Sequence, residues 1–382
     1  MRRGISRLPE QTGCAMNPPM KKLRYYITGH GLGHASRSGQ IINTLRRRHP
    51  EIAVEVVSDA HPWFFRGFLD PSVPVRRERL DFGVLQQDSL VLREEETLRA
   101  YREFLPERAR RVAAETESLR REGVALVAAD IPPAAFAAAR AAGIASVAIS
   151  NFSWDWIYEG LTAAHPGYAD VLASMRADYR CADLLLRLPF HGDFPAFQRI
   201  EDVPLVARRS RRTAAEMRQR LDIPADHRLG LLSFGGFGLH EFDGAALQRL
   251  AGWTFFAEAE FAGAAANLRG ISPDLHYPDL VRAADVVVTK PGYGIVSEAI
   301  ANRCAVLYTN RGDFREQAVL VAALHRHTRA REIGNERLRR GDFGEELEAL
   351  LAQPDPPSAL PPTNGDEVVA DRLAEMVGNG DG

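Results

Sequence analysis

Ala284-Asp285-Val286-Val287-Val288-Thr289-Lys290-Pro291-Gly292-Tyr293-Gly294-Ile295-Val296-Ser297-Glu298-Ala299 is the stretch on which the fold turns. Its valine run reads as a short strand buried on both faces, the pattern of a parallel sheet. The run ends at Lys290 and a Pro-Gly turn, and a helix opens just beyond. A helix start presents unpaired N–H groups and the positive end of the helix dipole, so together with the Lys290 ammonium it suits a diphosphate. Glu298, one turn further on, has two readings. It is a carboxylate that accepts bonds from a sugar diol, or an acidic residue in a first helical turn, worth on the order of tenths of a kcal/mol.

Outward from this element the same series recurs. Leu229–Phe234 runs into Gly235-Gly236, and Trp253–Phe256 and Ala305–Tyr308 repeat the strand signal. In the first half Leu23–Thr28 runs into a glycine loop and a helix over Ser36–Arg48. Val54–Val57, Val73–Leu80, Leu126–Ala129 and Ala145–Ile149 follow, separated by helical stretches such as Glu94–Glu122 and Ala134–Ala142. Prolines 189, 195, 204 and 224 and the run Arg208-Arg209-Ser210-Arg211-Arg212 interrupt the alternation, placing a junction near Val206. The expected fold class is therefore α/β, with two doubly wound Rossmann-like domains facing a cleft. Pro354–Pro362 breaks the chain again before a short amphipathic helix over Glu367–Met376, expected to pack back across the junction.

The first glycine loop reads Thr28-Gly29-His30-Gly31-Leu32-Gly33-His34-Ala35-Ser36-Arg37. Its glycines alternate instead of forming G-x-G-x-x-G, so a nicotinamide cofactor is not expected, and no other cofactor is implied. His30 and His34 lack the Cys or Glu that would complete a metal site. A histidine at the mouth of a cleft serves as a general base, or it caps the helix and binds a backbone carbonyl. Asp130 ends the strand Leu126–Ala129 and is expected to project into the same cleft, where it orients an imidazole or caps the helix that starts near Pro133. Phe152, Trp154, Trp156 and Tyr158 follow the next strand, as an acceptor wall or as core.

Composition narrows the class. The 382 residues, 45% hydrophobic and 26% charged, describe a folded two-domain protein, and a net charge of −2 gives no field for holding nucleic acid. Among the basic residues only Lys21, Lys22 and Lys290 are lysines, which makes Lys290 conspicuous. Cys14, Cys181 and Cys304 are scattered and odd in number, as in a reduced, cytoplasmic protein. No apolar run reaches membrane-spanning length. Residues 1–20 are expected to be a loose leader.

These residues together resemble the nucleotide-sugar glycosyltransferases of GT-B architecture, including MurG and the plant uridine-diphosphate glucosyltransferases, and above all the glycosyltransferase-like half of the L-arabinokinases. The likeness covers about residues 23–325: the GHGLGHASR loop, the ADIPP strand end, the segment Asn151–Tyr158, Ser233–Gly236 and the KPGYGIVSEA element. The alternation read above divides the chain into 21–206, 207–352 and a proline-rich break with a terminal helix over 353–382, and the likeness implies that the first is the acceptor-side domain and the second the nucleotide-sugar-binding domain. It further implies His34 as base with Asp130 as its partner. Gly33, Gly235, Gly236, Lys290, Gly292, Gly294 and Ile295 then fall at the donor diphosphate, Glu298 at the ribose, and Glu316 and Gln317 at the donor sugar. His30, Arg37, Trp154 and Trp156 fall on the acceptor side. The chain departs from the plant motif at Lys290, where a histidine stands, and at Gly294 and Ile295, which replace an asparagine and a serine. No Asp-x-Asp triplet occurs, so a metal-bridged diphosphate lacks its ligands and metal-independent transfer, most naturally from a UDP-sugar to a small-molecule or glycan hydroxyl, is implied. The G-x-G-H-x-x-R string also resembles the nucleotide-sugar hydrolase PseG, and a non-catalytic sugar-nucleotide sensor is the third reading.

Overall fold

The computed structural model describes residues 20–65, 67–85, 92–234, 242–310 and 314–378. The first domain runs β1 (Lys21–Ile27), α1 (Leu32–Arg48), β2 (Ile52–Ser58), β3 (Val75–Arg77), α2 (Glu94–Arg121), β4 (Val124–Asp130) and α3 (Pro133–Ala142). It continues with β5 (Ser146–Ser150), α4 (Trp154–Ala164), α5 (Ala169–Tyr179), β6 (Leu184–Arg187) and β7 (Ile200–Asp202). The second runs α6 (Ala214–Arg220), β8 (Arg228–Ser233), β9 (Trp253–Ala257), β10 (Leu268–Gly270), α7 (Tyr277–Ala283), β11 (Val286–Thr289) and α8 (Tyr293–Asn302). It ends with β12 (Ala305–Thr309), α9 (Glu316–His327), β13 (Ala330–Ile333), α10 (Asn335–Arg339) and α11 (Gly344–Leu351); α12 (Gly365–Gly378) closes the chain.

Two separate sheets result, ordered β3-β2-β1-β4-β5-β6-β7 and β10-β9-β8-β11-β12-β13. Every strand pair in both is parallel. The order reverses between β1 and β4 in one and between β8 and β11 in the other, and at such points the loops beyond the carboxyl ends part to leave a crevice. The glycine loop and Asp130 sit at the first reversal, Ser233, Phe234 and Lys290 at the second.

Local chemistry sets the elements that matter for the site. Gly31 precedes α1 with φ 81, a backbone state that an L side chain resists, and this lets the helix begin at Leu32 rather than at Ser36. Helix α2 carries Glu94, Glu95 and Glu96 in its first turn and Arg120 and Arg121 in its last, matched to its dipole. Beneath the strands, one apolar cluster runs from Leu23, Tyr25 and Ile27 through Val369 and Leu373 of α12 and Val296 and Ile300 of α8 to Leu229 and Leu231.

The terminal helix returns to the first domain. Asp366 accepts from Thr44 Oγ1 at 2.7 Å and Gln40 Nε2 at 2.8 Å, and Asp371 accepts from Arg48 through both oxygens. Val206 pairs with Asn364 in an isolated antiparallel bridge, so the chain enters and leaves the second domain side by side. The expected strand over Val73–Leu80 shrinks to β3, and β6, β7, β10 and β13 are additions, all short.

Candidate active site

A cavity of about 270 Å³ lies between the two reversal points. Its floor is formed by two helix starts, those of α1 and α8, which approach so closely that a Cβ built on Gly294 would stand 3.8 Å from Gly33 Cα. Gly33, Gly292, Gly294, Ile295 and Lys290 all line it, as do Glu298, Glu316, His30, His34 and Arg37. Two N-terminal helix dipoles and one ammonium thus converge on one volume, a setting that favours negative charge. Gly235 and Gly236 lie outside the described residues.

His34 occupies the first turn of α1, with its side chain 7% exposed. Its Nδ1 stands 2.8 Å from Asp130 Oδ1. Arg37 Nη2, a donor only, stands 2.9 Å from the same Nδ1, so two partners compete for it; in the tautomer that gives the Nδ1 proton to Asp130, the Nε2 lone pair is available. Burial lowers the imidazole pKa below 6.5; Asp130 opposes that fall and Arg37 adds to it. His34 is therefore neutral at neutral pH and able to accept a proton.

Asp130 is fully buried and does not line the cavity, a correction to the expectation that it projects into the cleft. It lies behind His34 and also accepts from Arg37 Nε at 2.7 Å, Arg37 Nη2 at 2.6 Å and Ser38 Oγ at 2.8 Å. Burial pushes this carboxyl up, and the adjacent Arg37 and His34 override it, holding it well below the usual carboxylate range. The cap of α3 is Pro132, with no side-chain hydrogen bond, so Asp130 does not serve that helix.

Arg37 also differs from its expected role. Its guanidinium spends its donors on Asp130, Asn151 Oδ1 at 2.6 Å and Ser150 Oγ at 3.0 Å, and its charged end lies 5.1 Å from the centre of the Tyr293 ring. It braces the acid from below rather than facing an acceptor. The same holds for the two tryptophans, which are core: Trp154 is 1% exposed and donates Nε1–H to Asp81, while Trp156 packs against Gly192 and Arg315. Trp154 meets the ring of His30 edge-on at 5.3 Å, so its contribution to the cavity wall is indirect.

On the donor side, Glu298 is 2% exposed and accepts from Arg208 Nε. Glu316 opens α9 and accepts from Asn151 Nδ2 at 3.0 Å. Gln317 is the second residue of α9, half-buried and outside the cavity lining. Arg208 escaped the sequence reading because it stood within a basic junction run. Here it reaches into the cavity between the rings of Phe68 at 4.6 Å and Tyr277 at 5.6 Å. Glu258, Tyr277 and Phe68 also line the cavity without a sequence signal that would have found them. No group of three metal-ligating side chains occurs among the described residues, and no described helix is long and apolar enough to cross a membrane.

Two parallel doubly wound domains with a cleft at their facing reversal points define the GT-B fold, and the chain has it. It superposes on the calicheamicin glycosyltransferase CalG4 with a TM-score of 0.59 at 16% identity, covering 95% of both chains. With MurG of Acinetobacter baumannii the score is 0.54 at 16% identity, covering 93% of this chain and all of that one. A UDP-glucosyltransferase of Polygonum tinctorium gives 0.59 at 13%, over 96% of this chain and all of that one. In sequence the chain is similar to the L-arabinokinase of Arabidopsis thaliana, 31% identical over 377 residues, 97% of this chain and 36% of that protein. The chain thus spans about a third of that relative's length. No family model matches it.

Proposed function

We propose that the protein is an inverting glycosyltransferase that moves a sugar from a nucleoside-diphosphate sugar, a UDP-sugar in the first instance, to a hydroxyl acceptor without a metal. The observation that carries this reading is the His34–Asp130 pair at the edge of a cavity floored by two helix N-termini and Lys290. His34 Nε2 takes the acceptor proton, the acceptor oxygen attacks the anomeric carbon from the face opposite the leaving group, and the nucleoside diphosphate departs. Asp130 holds the Nδ1–H tautomer and steadies the imidazolium. The α8 start and Lys290 meet the charge that develops on the departing diphosphate, in place of a metal ion. Glu298 holds the ribose and Glu316 the sugar hydroxyls; Gln317, outside the cavity lining, supports Glu316 from the same turn of α9.

One observation favours a second reading. Arg37 neutralises Asp130 and stands 2.9 Å from His34 Nδ1, which works against a strong base and suits a protein that only binds a sugar nucleotide. Incubation with a panel of nucleotide sugars and candidate acceptors, followed by mass spectrometry, separates the two. A new glycoside with release of nucleoside diphosphate supports transfer; binding without turnover of any sugar supports the sensor.

A further inference from the structure

Residues 151–159 give their tryptophans to the core, and the same segment receives the start of α9 from the second domain. Phe314 packs into the first-domain apolar cluster with Phe152 and Trp156. Arg315 Nη1 donates to Trp156 O at 2.7 Å and to Glu159 Oε2 at 2.8 Å, with its charged end 4.8 Å from the centre of the Trp156 ring. Glu316, which lines the cavity, accepts from Asn151 Nδ2 at 3.0 Å. Asn151 itself follows β5, is fully buried and does not line the cavity. Its other end, Oδ1, accepts from Arg37 Nη1 at 2.6 Å. A guanidinium only donates and a carboxylate only accepts, so these partners fix which way the amide points and leave no place for a side chain with donors alone, acceptors alone or neither. One hydrogen-bonded chain thus crosses between the domains, from His34 through Asp130, Arg37 and Asn151 to Glu316.

We infer that Asn151 is a positioning residue that holds the Glu316 carboxylate against the Arg37–Asp130–His34 cluster, so that the base and the donor-sugar carboxylate work as one unit while the start of α9 is docked on residues 151–159. The inference rests on the transfer reading above and adds the residue that joins its two halves. Charge supplies the reason for such a tie. A base that takes a proton becomes an imidazolium, and in a buried site that form needs negative charge beside it. Arg37 cancels the charge of Asp130, so those two leave nothing over. The second carboxylate, brought in by Asn151, leaves the cluster one negative charge in excess, which an imidazolium neutralises. Burial lowers the His34 pKa most, Asp130 opposes that fall, Arg37 adds to it, and Glu316 works with Asp130. The rings packed on His34, those of Phe152 and Trp154, are uncharged, while Glu298 is engaged with Arg208 and Lys290 lies at the turn before α8. The neutralisation of Asp130 by Arg37, which on its own favours a mere binder, is thereby offset.

The titration of His34 itself tests this, read by NMR on histidine-labelled protein, the His34 resonance being the one absent from His34→Ala. Wild type is compared with Glu316→Gln, which removes the charge and keeps an acceptor for Asn151, with Asn151→Leu, which removes the tie, and with the two combined. Glu316→Asp keeps the charge and, one methylene shorter, no longer reaches Asn151. All three single variants are expected to lower the His34 midpoint, and the double variant to lower it no further than Glu316→Gln alone, because members of one network are not additive. In the transfer assay Asn151→Leu is expected to lose about tenfold in kcat, the scale of one hydrogen bond to a charged group, with UDP affinity unchanged. A merely structural Asn151 would lower stability and leave the His34 midpoint in place. That result, or a double variant whose shift is the sum of the single ones, would overturn the inference. Should Asn151→Leu not fold, Glu316→Asp decides alone: a midpoint equal to that of wild type would show that the charge needs no tie. Absence of turnover with every nucleotide sugar, alongside the expected shifts, would overturn the transfer reading and leave the tie standing.

Discussion

Replacing Asp130 by Asn is the perturbation with the largest consequence that the geometry allows to be worked through. The carboxylate is fully buried and accepts four bonds between 2.6 and 2.8 Å: two from Arg37, one from His34 and one from Ser38. An amide keeps one acceptor oxygen, turns an NH₂ toward donors, and leaves the Arg37 guanidinium, 3% exposed, without a counter-charge. Breaking a buried ion pair from one side costs about 3–5 kcal/mol, because the remaining charge is stranded. Replacing both partners with apolar residues, Arg37→Met with Asp130→Leu, is expected to cost less than Asp130→Asn alone. The pH dependence has a definite sign. The folded carboxyl is held below its ordinary value, so its contribution is complete above about pH 4 and disappears as the pH falls toward the folded value. Denaturant unfolding followed by tryptophan fluorescence reads both effects. A loss under about 1 kcal/mol for Asp130→Asn, or a double variant worse than the single one, would refute the reasoning.

Glu298→Ala is expected to weaken UDP binding by about 1.5–3 kcal/mol, the value of a hydrogen bond to a charged group, and calorimetry on the folded variant checks it. Lys290→Ala is expected to weaken the same ligand by an amount that shrinks as salt is raised, measured by titration at low and high ionic strength. Removing α12 takes away Val369 and Leu373 and exposes Ile41 and Leu45 of α1, which share their apolar cluster and are fully buried; loss of the cooperative unfolding transition on truncation after Gln353 is the expected result, seen by circular dichroism.

Much of this architecture can be read from the chain because the informative elements are short, buried and punctuated by glycine. The three valines before Lys290 cannot be half-exposed, and a glycine turn must follow for a helix to start over them. What escaped was set by contacts distant in sequence. Arg37 carries a charge on the loop side of α1, and only the position of Asp130, 93 residues on, decides that it turns inward. Trp154 and Trp156 read as an acceptor wall or, more often in such a setting, as core, and helix α4, which buries one indole over Asp81, settles the matter. Arg208 sat in a basic run whose neighbours Arg209, Arg211 and Arg212 are exposed, so nothing local marked it as the one that reaches Glu298. The short edge strands β7 and β10 take their places from their neighbours rather than from their own sequence.

The central claim is that His34 moves a proton during sugar transfer, and turnover of His34→Ala set beside its nucleotide affinity tests it most directly. With a competent donor and acceptor, the variant is expected to lose about 10²–10⁴ in turnover while binding UDP nearly as wild type does. Because burial lowers the His34 pKa, the acid limb of the wild-type rate profile is expected below pH 6.5. Equal turnover in wild type and His34→Ala would contradict the account and leave the protein a binder of sugar nucleotides.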